Sequence, residues 1–229
     1  MVRPLENVVI AVDGPSGSGK SSTSRGVAQR LGLRYLDTGS LYRAVAWWMK
    51  EQGIDLHDRA AVAAAVHRPV ISAGTDPAGP QIHVDGIDVG KAIRTPEVTA
   101  ASSLVSAVPE VRARLLTIQR EHIADGGIVV EGRDIGTTVV PDADVKIFLD
   151  ARSEVRAGRR AEQRAKGGTI EEQELARIEA AMAARDERDA GREVSPLAMA
   201  ADAHEIDGSH STLEEVIDEV IGYVREVTG

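Results

Sequence analysis

Short unbroken apolar runs alternate along the chain with longer stretches in which apolar residues recur every three to four positions. Val8-Val9-Ile10-Ala11-Val12, Ile128-Val129-Val130 and Val145-Lys146-Ile147-Phe148-Leu149 are of the first kind. Their length and β-branched content predict buried strands. Arg34-Tyr35-Leu36 and His204-Glu205-Ile206 read as two shorter strands. Helical patterns fill the intervals. Ser22 to Leu31 closes at Gly32, and Leu41, Val45, Trp48 and Met49 share one face of a helix that runs to Gly53. Pro96 and Pro109 occupy favoured first helical positions, and the second of these helices runs to about Ala124, before Gly126-Gly127. Ser153 reads as the cap of a helix broken at Gly167-Gly168, and Glu171 to about Asp189 as a longer amphipathic helix. Thr212-Leu213-Glu214-Glu215 is a capping box opening the last helix. Strands alternating with helices predict an α/β doubly wound sheet of about five parallel strands.

Between about 70 and 90 the texture changes. Val70-Ile71-Ser72, Gln81-Ile82-His83-Val84 and Ile87-Asp88-Val89 are strand-like, and Asp85-Gly86 between the last two is a hairpin-turn dipeptide. This predicts a small antiparallel insert. The division expected is one domain over 1–229: a core of about 1–61 and 107–229, an inserted subdomain of about 62–106, and a lid of about 153–170.

Composition narrows the class. The 229 residues suffice for one sizeable domain, and 42% hydrophobic content supports a packed core. Aromatics are 3%, so that core must be aliphatic. There is no cysteine, hence no disulfide and no thiolate chemistry. A formal net charge of −9 argues against a nucleic-acid surface. No run approaches membrane-spanning length, and the opening MVRPLEN has no apolar signal core. The expectation is a soluble cytoplasmic protein with no membrane partner, and a monomer, since no long apolar helix stripe is left exposed.

The strand ends carry the chemistry. After the first strand, Gly14-Pro15-Ser16-Gly17-Ser18-Gly19-Lys20-Ser21 fits G-x-x-x-x-G-K-S/T, with a strand before it and a helix after it. Glycines let the backbone turn its N–H groups toward phosphates, and the helix adds its positive end. Lys20 can reach the β- and γ-phosphates, and Ser21 offers a hydroxyl to Mg²⁺. Asp37-Thr38-Gly39-Ser40 follows the second strand, with Tyr42 and Arg43 in the next helical turn, and Glu131-Gly132-Arg133-Asp134 follows the third. Arg156 and Arg160 stand four apart on one helix face, which suits an anion-closing lid. The segment says that a nucleoside triphosphate is bound, not yet why.

Taken together, these stretches resemble the bacterial cytidylate kinase family over nearly the whole chain. GPSGSGKS at 14–21, DTGSLYRA at 37–44, VRARLLTIQR at 111–120, EGRDIGT at 131–137, VKIFLDAR at 145–152 and the RDERD segment at 185–189, leading to Arg192 and SPL at 195–197, carry the likeness. The resemblance implies transfer of a phosphoryl group from ATP to CMP or dCMP, with Mg²⁺. It implies that Gly14 to Ser22 and Arg159 hold ATP, with Lys20 stabilising the moving phosphoryl. Arg43, Arg133 and Arg192 would hold the acceptor phosphate, with Thr38 and Tyr42 lining the acceptor pocket. Arg185 and Asp189 would meet the ribose, and Ser103, Arg112 and Asp134 would read cytosine. Lys20, Arg133, Arg156 and Arg160 would serve the transfer itself, the last two from the lid. Ser21 and Asp37 would serve the metal. A GTPase switch is disfavoured, because guanine recognition by N-K-x-D needs an asparagine and Asn7, before the loop, is the only one in the chain. A kinase for a small non-nucleotide acceptor fits the long insert poorly.

Overall fold

The computed structural model describes residues 4–165 and 171–229, apart from the side chain of Arg164. The Gly167-Gly168 breaker and the end of the expected lid lie outside these residues.

The principal sheet is formed by β1 (Val9–Asp13), β2 (Arg34–Asp37), β6 (Ile128–Glu131), β7 (Val145–Asp150) and β8 (His204–Asp207). Its order is β2-β6-β1-β7-β8, parallel throughout. The alternation of side chains sorts the apolar runs onto two faces. Ile10, Val12, Tyr35, Val129, Val145, Ile147 and Leu149 pack with Val27 and Ala28 of α1 (Lys20–Leu31) and with Val216, Ile217, Val220 and Val224 of α8 (Leu213–Thr228). Ala11, Leu36, Ile128 and Val130 face the other way, toward Ile123 of α5 (Pro109–Ile123), Ile135 and Val139. Burial on both faces is why these strands are continuously apolar rather than alternating. Each fully buried Val, Leu or Ile contributes roughly 1.5–3 kcal/mol, so an aliphatic core is adequate.

A second apolar cluster forms around α2 (Thr38–Glu51). Leu41, Val45, Trp48 and Met49 pack with Val62 of α3 (Arg59–Ala65), Ile82 and Val84, Val98 and Val105 of α4 (Pro96–Val105), and Leu115 of α5. Ile82 and Val84 belong to a three-stranded antiparallel sheet, β3 (Ile71–Ala73), β4 (Ile82–Val84) and β5 (Ile87–Asp88). Asp85 at φ 52 and Gly86 at φ 80 make its hairpin turn, and Asp85 also accepts from Trp48 Nε1 at 2.9 Å. The loop between β3 and β4 reaches back to the core. Tyr35 N–H donates to Thr75 O at 2.9 Å on the outer side of edge strand β2, and Arg25 Nε donates to Pro77 O at 2.9 Å.

Helices α6 (Ser153–Ala165) and α7 (Glu172–Ala190) form a hairpin packed through Ala157, Ala161, Ile178 and Met182. Ser153 is the first residue of α6 rather than a residue outside it. The Thr212–Glu215 capping box is present in α8.

Candidate active site

The polar segments that follow β1, β2 and β6 stand together at the carboxyl edge of the parallel sheet. The register sets Asp37 beside Glu131 and Val12 beside Glu131, so the loops after β1, β2 and β6 emerge side by side. In α/β sheets ligands bind outside this edge.

The loop after β1 carries Gly14, Gly17 and Gly19 at φ 144, 78 and 104. Gly14 is also closed to any side chain, because a Cβ there would lie 2.0 Å from Leu149 O. Gly19 caps α1 without a side-chain hydrogen bond, and no acidic residue stands in the first turn. The unpartnered N–H groups and the positive end of the helix make an anion site. Lys20 curls back over the loop, donating to Pro15 O at 2.6 Å and Ser18 Oγ at 3.3 Å. Burial, with Arg133 nearby, holds its ammonium well below the usual lysine range.

A cleft of about 1070 Å³ opens from this loop. Ser16 to Ser22, Asp37, Thr38, Tyr42 and Arg43 line it, as do Arg112, Arg133, Asp134, Arg159, Arg160, Arg185, Asp189 and Arg192. Gly14 and Pro15 stand behind the wall and offer their carbonyls to Arg133 and Lys20. Ser103 is not in the wall; its hydroxyl is buried without a partner, and Ser102 and Ser106 face the cleft instead. Arg156 is also absent from the wall. Its Nη1 donates to Ser16 O at 2.9 Å and pairs with Asp186, and its Nε donates to Ala151 O. The shared face expected of Arg156 and Arg160 therefore divides: Arg160 looks into the cleft and Arg156 braces the loop. Arg159 donates to Ser18 O at 3.1 Å and to Gly208 O at 2.5 Å.

The arginines are held by carboxylates. Asp189, 1% exposed, accepts from Arg133 Nε at 3.0 Å and from Arg192. Arg43 donates to Asp37 Oδ2 at 2.7 Å, while Asp37 Oδ1 caps α2 through Ser40 N–H. Arg112 and Asp134 form a buried ion pair, with the guanidinium over the Tyr42 ring at 5.5 Å. Arg185 has an unpartnered buried Nε, and burial, with Arg133 beside it, pulls its guanidinium down to about 10. Cations this crowded are costly while the cleft holds no anion, and a polyanionic ligand offsets that cost.

Several partners were not legible as such. Asp13 closes β1 and accepts from Ile135 N–H and Gly136 N–H at 2.9 and 2.8 Å. Asp186 accepts from Ser16 N–H at 3.0 Å. Gln119 is buried and hydrogen-bonded to Tyr42, and Ser106 Oγ accepts from Arg192 at 3.0 Å. Glu131 accepts from the Tyr35 hydroxyl at 2.5 Å and hydrogen-bonds Ser21; burial and then Asp37 push its carboxyl up. A charged residue closing an apolar strand is the one sequence signal that could have singled out Asp13.

A phosphate loop at the head of α1, sharing one cleft with an arginine cluster at the edge of a parallel α/β sheet, defines a P-loop phosphotransferase. Comparison with known proteins names the family. The cytidylate kinase family model matches residues 10–226. The chain is 53% identical to a cytidylate kinase of Streptomyces avermitilis over 98% of its length and 95% of that protein's. It is 55% identical to one of Streptomyces coelicolor over 96% and 93%, and 51% identical to one of Nocardia farcinica over 96% and 94%. The chain belongs to the cytidylate kinase family and is an ATP-dependent nucleoside monophosphate kinase. Among solved structures, a gluconokinase from Sinorhizobium meliloti shares the fold, with a TM-score of 0.50 at 16% identity over 99% of this chain and 95% of that one.

Proposed function

We propose that the protein moves the γ-phosphoryl group of ATP to the phosphate of CMP or dCMP, giving ADP and CDP or dCDP. The observation that carries this reading is that one cleft is lined by both the phosphate loop and the arginines Arg43, Arg133 and Arg192. Two anion stations in one cleft suit two phosphorylated substrates. Phosphoryl transfer asks mainly for alignment and for neutralisation of charge on the moving group. Lys20 supplies a point charge from the donor side. Arginine forks suit the acceptor phosphate because they bind it bidentately. The acceptor is already anionic, so no strong general base is required.

Beyond the phosphates, Tyr42, Arg112 and Asp134 form the end of the cleft assigned to the base, with Ser103 joining once its buried hydroxyl turns toward it. Thr38 stands between the stations, with its hydroxyl donating to Glu131 O at 2.7 Å. Arg185 and Asp189 fall to the ribose, and Arg159, Arg160 and Arg156 to the donor side, where α6 acts as a lid. Residues 62–106, which include the antiparallel sheet, act as the acceptor-binding insert. Ser21, Asp37 and Glu131 are adjoining hard oxygen donors, and the mutual repulsion of the two carboxylates favours a cation between them. That fits Mg²⁺ held largely through water, and bound there it would neutralise charge on the phosphates. We take the enzyme to act in the cytoplasm, as a monomer, on small-molecule nucleotides and with no nucleic-acid or membrane partner.

A coupled assay across CMP, dCMP, UMP, AMP, GMP and small sugar acids tests the reading. CMP and dCMP should give specificity constants well above the rest; a sugar acid or AMP at the top of the panel would sink it.

A further inference from the structure

The strand leading into the phosphate loop and the segment after β6 are fastened at four points. Gly132 N–H donates to Val12 O at 3.0 Å, and Arg133 Nη1 donates to Gly14 O at 2.9 Å. The other two points are both on Asp13: Ile135 N–H on Oδ1 and Gly136 N–H on Oδ2. These points include Arg133 and bracket Asp134, the two residues assigned above to the acceptor. Asp13 itself is 5% exposed and absent from the cleft wall, so it reaches no substrate.

The local geometry explains why a carboxylate is needed. Residues Ile135–Val139 form one π-helical turn, whose first N–H groups have no partner within the turn. Asp134 stands at the cap position, but its side chain caps nothing, because its carboxylate pairs with Arg112. Asp13 supplies the missing cap from another strand. That releases Asp134 to face the cleft. An Asn at position 13 has one acceptor oxygen for two donors and sets its NH₂ against an N–H. An Ala leaves both donors buried and unpaired.

We propose that Asp13 is a positioning residue: its carboxylate fixes Arg133 and Asp134 relative to the phosphate loop and so sets acceptor affinity and base choice. The proposal rests on the acceptor role given to those two residues under the proposed function. Loss of one of the paired bonds should therefore act on the acceptor and spare the donor.

The test uses the full-length enzyme with Asp13→Asn and Asp13→Ser, each checked by thermal melt, and reads kcat and KM for ATP and for the acceptor that the wild type prefers. The expected result is an acceptor KM raised about tenfold, with the CMP-to-UMP ratio of specificity constants reduced, and an ATP KM within about twofold of wild type. Combined with Asp134→Ala, Asp13→Asn should add little further loss, since both act through one loop. An unchanged acceptor KM and base ratio, with only melting temperature or kcat lowered, overturns the proposal and leaves Asp13 a stability residue. So does full additivity with Asp134→Ala. If the preferred acceptor is not CMP, the proposed function fails on that result alone, and the acceptor KM still decides the role of Asp13.

Discussion

Burying a carboxylate is expensive unless its charge is used, and Asp13 shows the cost and the use together. Burial pushes its carboxyl up to about 6; the Gly136 and Ile135 N–H groups and Lys20 pull the other way, and Asp134 adds to the rise. The unfolded reference is 3.8. Below that value both states are protonated, and the contribution to stability is complete. As the pH climbs from about 4 to about 6 the unfolded chain ionises first, so the native state loses stability, by up to about 3 kcal/mol; above 6 the loss is constant. Urea unfolding of wild type and Asp13→Asn across this window should show the wild type losing ground to the variant between pH 4 and 6. A gap independent of pH would contradict the shift.

Two substitutions at the cleft address chemistry directly. Lys20→Ala should cut turnover by about 10²-fold or more, as for loss of one transition-state donor, with the melting temperature nearly unchanged. Near-normal turnover would remove Lys20 from the reaction. At the base, cytosine offers an N4 donor with N3 and O2 acceptors, whereas uracil reverses positions 4 and 3. Arg112→Met should lose CMP affinity while keeping ATP affinity. Asp134→Ala should narrow the CMP-to-UMP ratio, because a carboxylate in the base-reading place proposed for Asp134 would stand against uracil O4, at roughly 1–3 kcal/mol for each unpaired group. Both specificity constants falling together would mean that Asp134 serves another group. Arg133 is not that group through a direct pair, since its Nε goes to Asp189.

At the scale of elements, the α6–α7 hairpin grips the phosphate loop at one residue. Asp186 of α7 takes the Ser16 N–H, Arg156 of α6 takes the Ser16 carbonyl, and the two side chains pair with each other. Asp186→Ala and Arg156→Ala should therefore raise the KM for ATP by similar factors, about 5-fold to 10-fold, and combine less than additively. Arg160→Ala, in the cleft wall, should lower turnover with little change in either KM. Steady-state kinetics on the four variants separates brace from wall; additive effects of the first two would end the idea of a shared grip. The elements themselves were largely legible. Buried strands show as apolar runs, and amphipathic helices as 3.6-residue periods. Thr212 caps its helix through local bonds that a sequence can display. The π turn at Ile135–Val139 was not legible, because its N–H partner is Asp13, more than a hundred residues earlier. The partners of the arginines were hidden for the same reason. Periodicity reports which face is buried, not which carboxylate lies across the cleft.

At the scale of the molecule, an acidic chain encloses a basic cleft. The net charge of −9 is spread over the surface, while Arg43, Arg112, Arg133, Arg185 and Arg192 face inward. Low-dielectric walls focus that field, so the cleft attracts nucleotides although the protein as a whole repels them. Local charge thus had to be read from strand ends rather than from composition. The antiparallel sheet was legible from its short strand-like runs and the Asp85-Gly86 turn dipeptide. The contact of its β3–β4 loop with the core was not, since nothing in Thr75 or Pro77 distinguishes them from an ordinary surface loop.

That contact bears on how the chain stays in solution. In the order β2-β6-β1-β7-β8 the strand β2 is an edge, and an uncovered edge invites pairing with another molecule. Thr75 O meets the Tyr35 N–H there, and Arg25 pins the same loop through Pro77 O. The segment assigned to acceptor binding is thus also a guard against edge-to-edge association. A shortened enzyme in which residues 74–80 are replaced by a two-residue turn should stay folded in its parallel sheet yet self-associate. Light scattering during concentration would show particles growing in the shortened chain while the intact chain remains clear; equal clarity in both would mean that β2 protects itself.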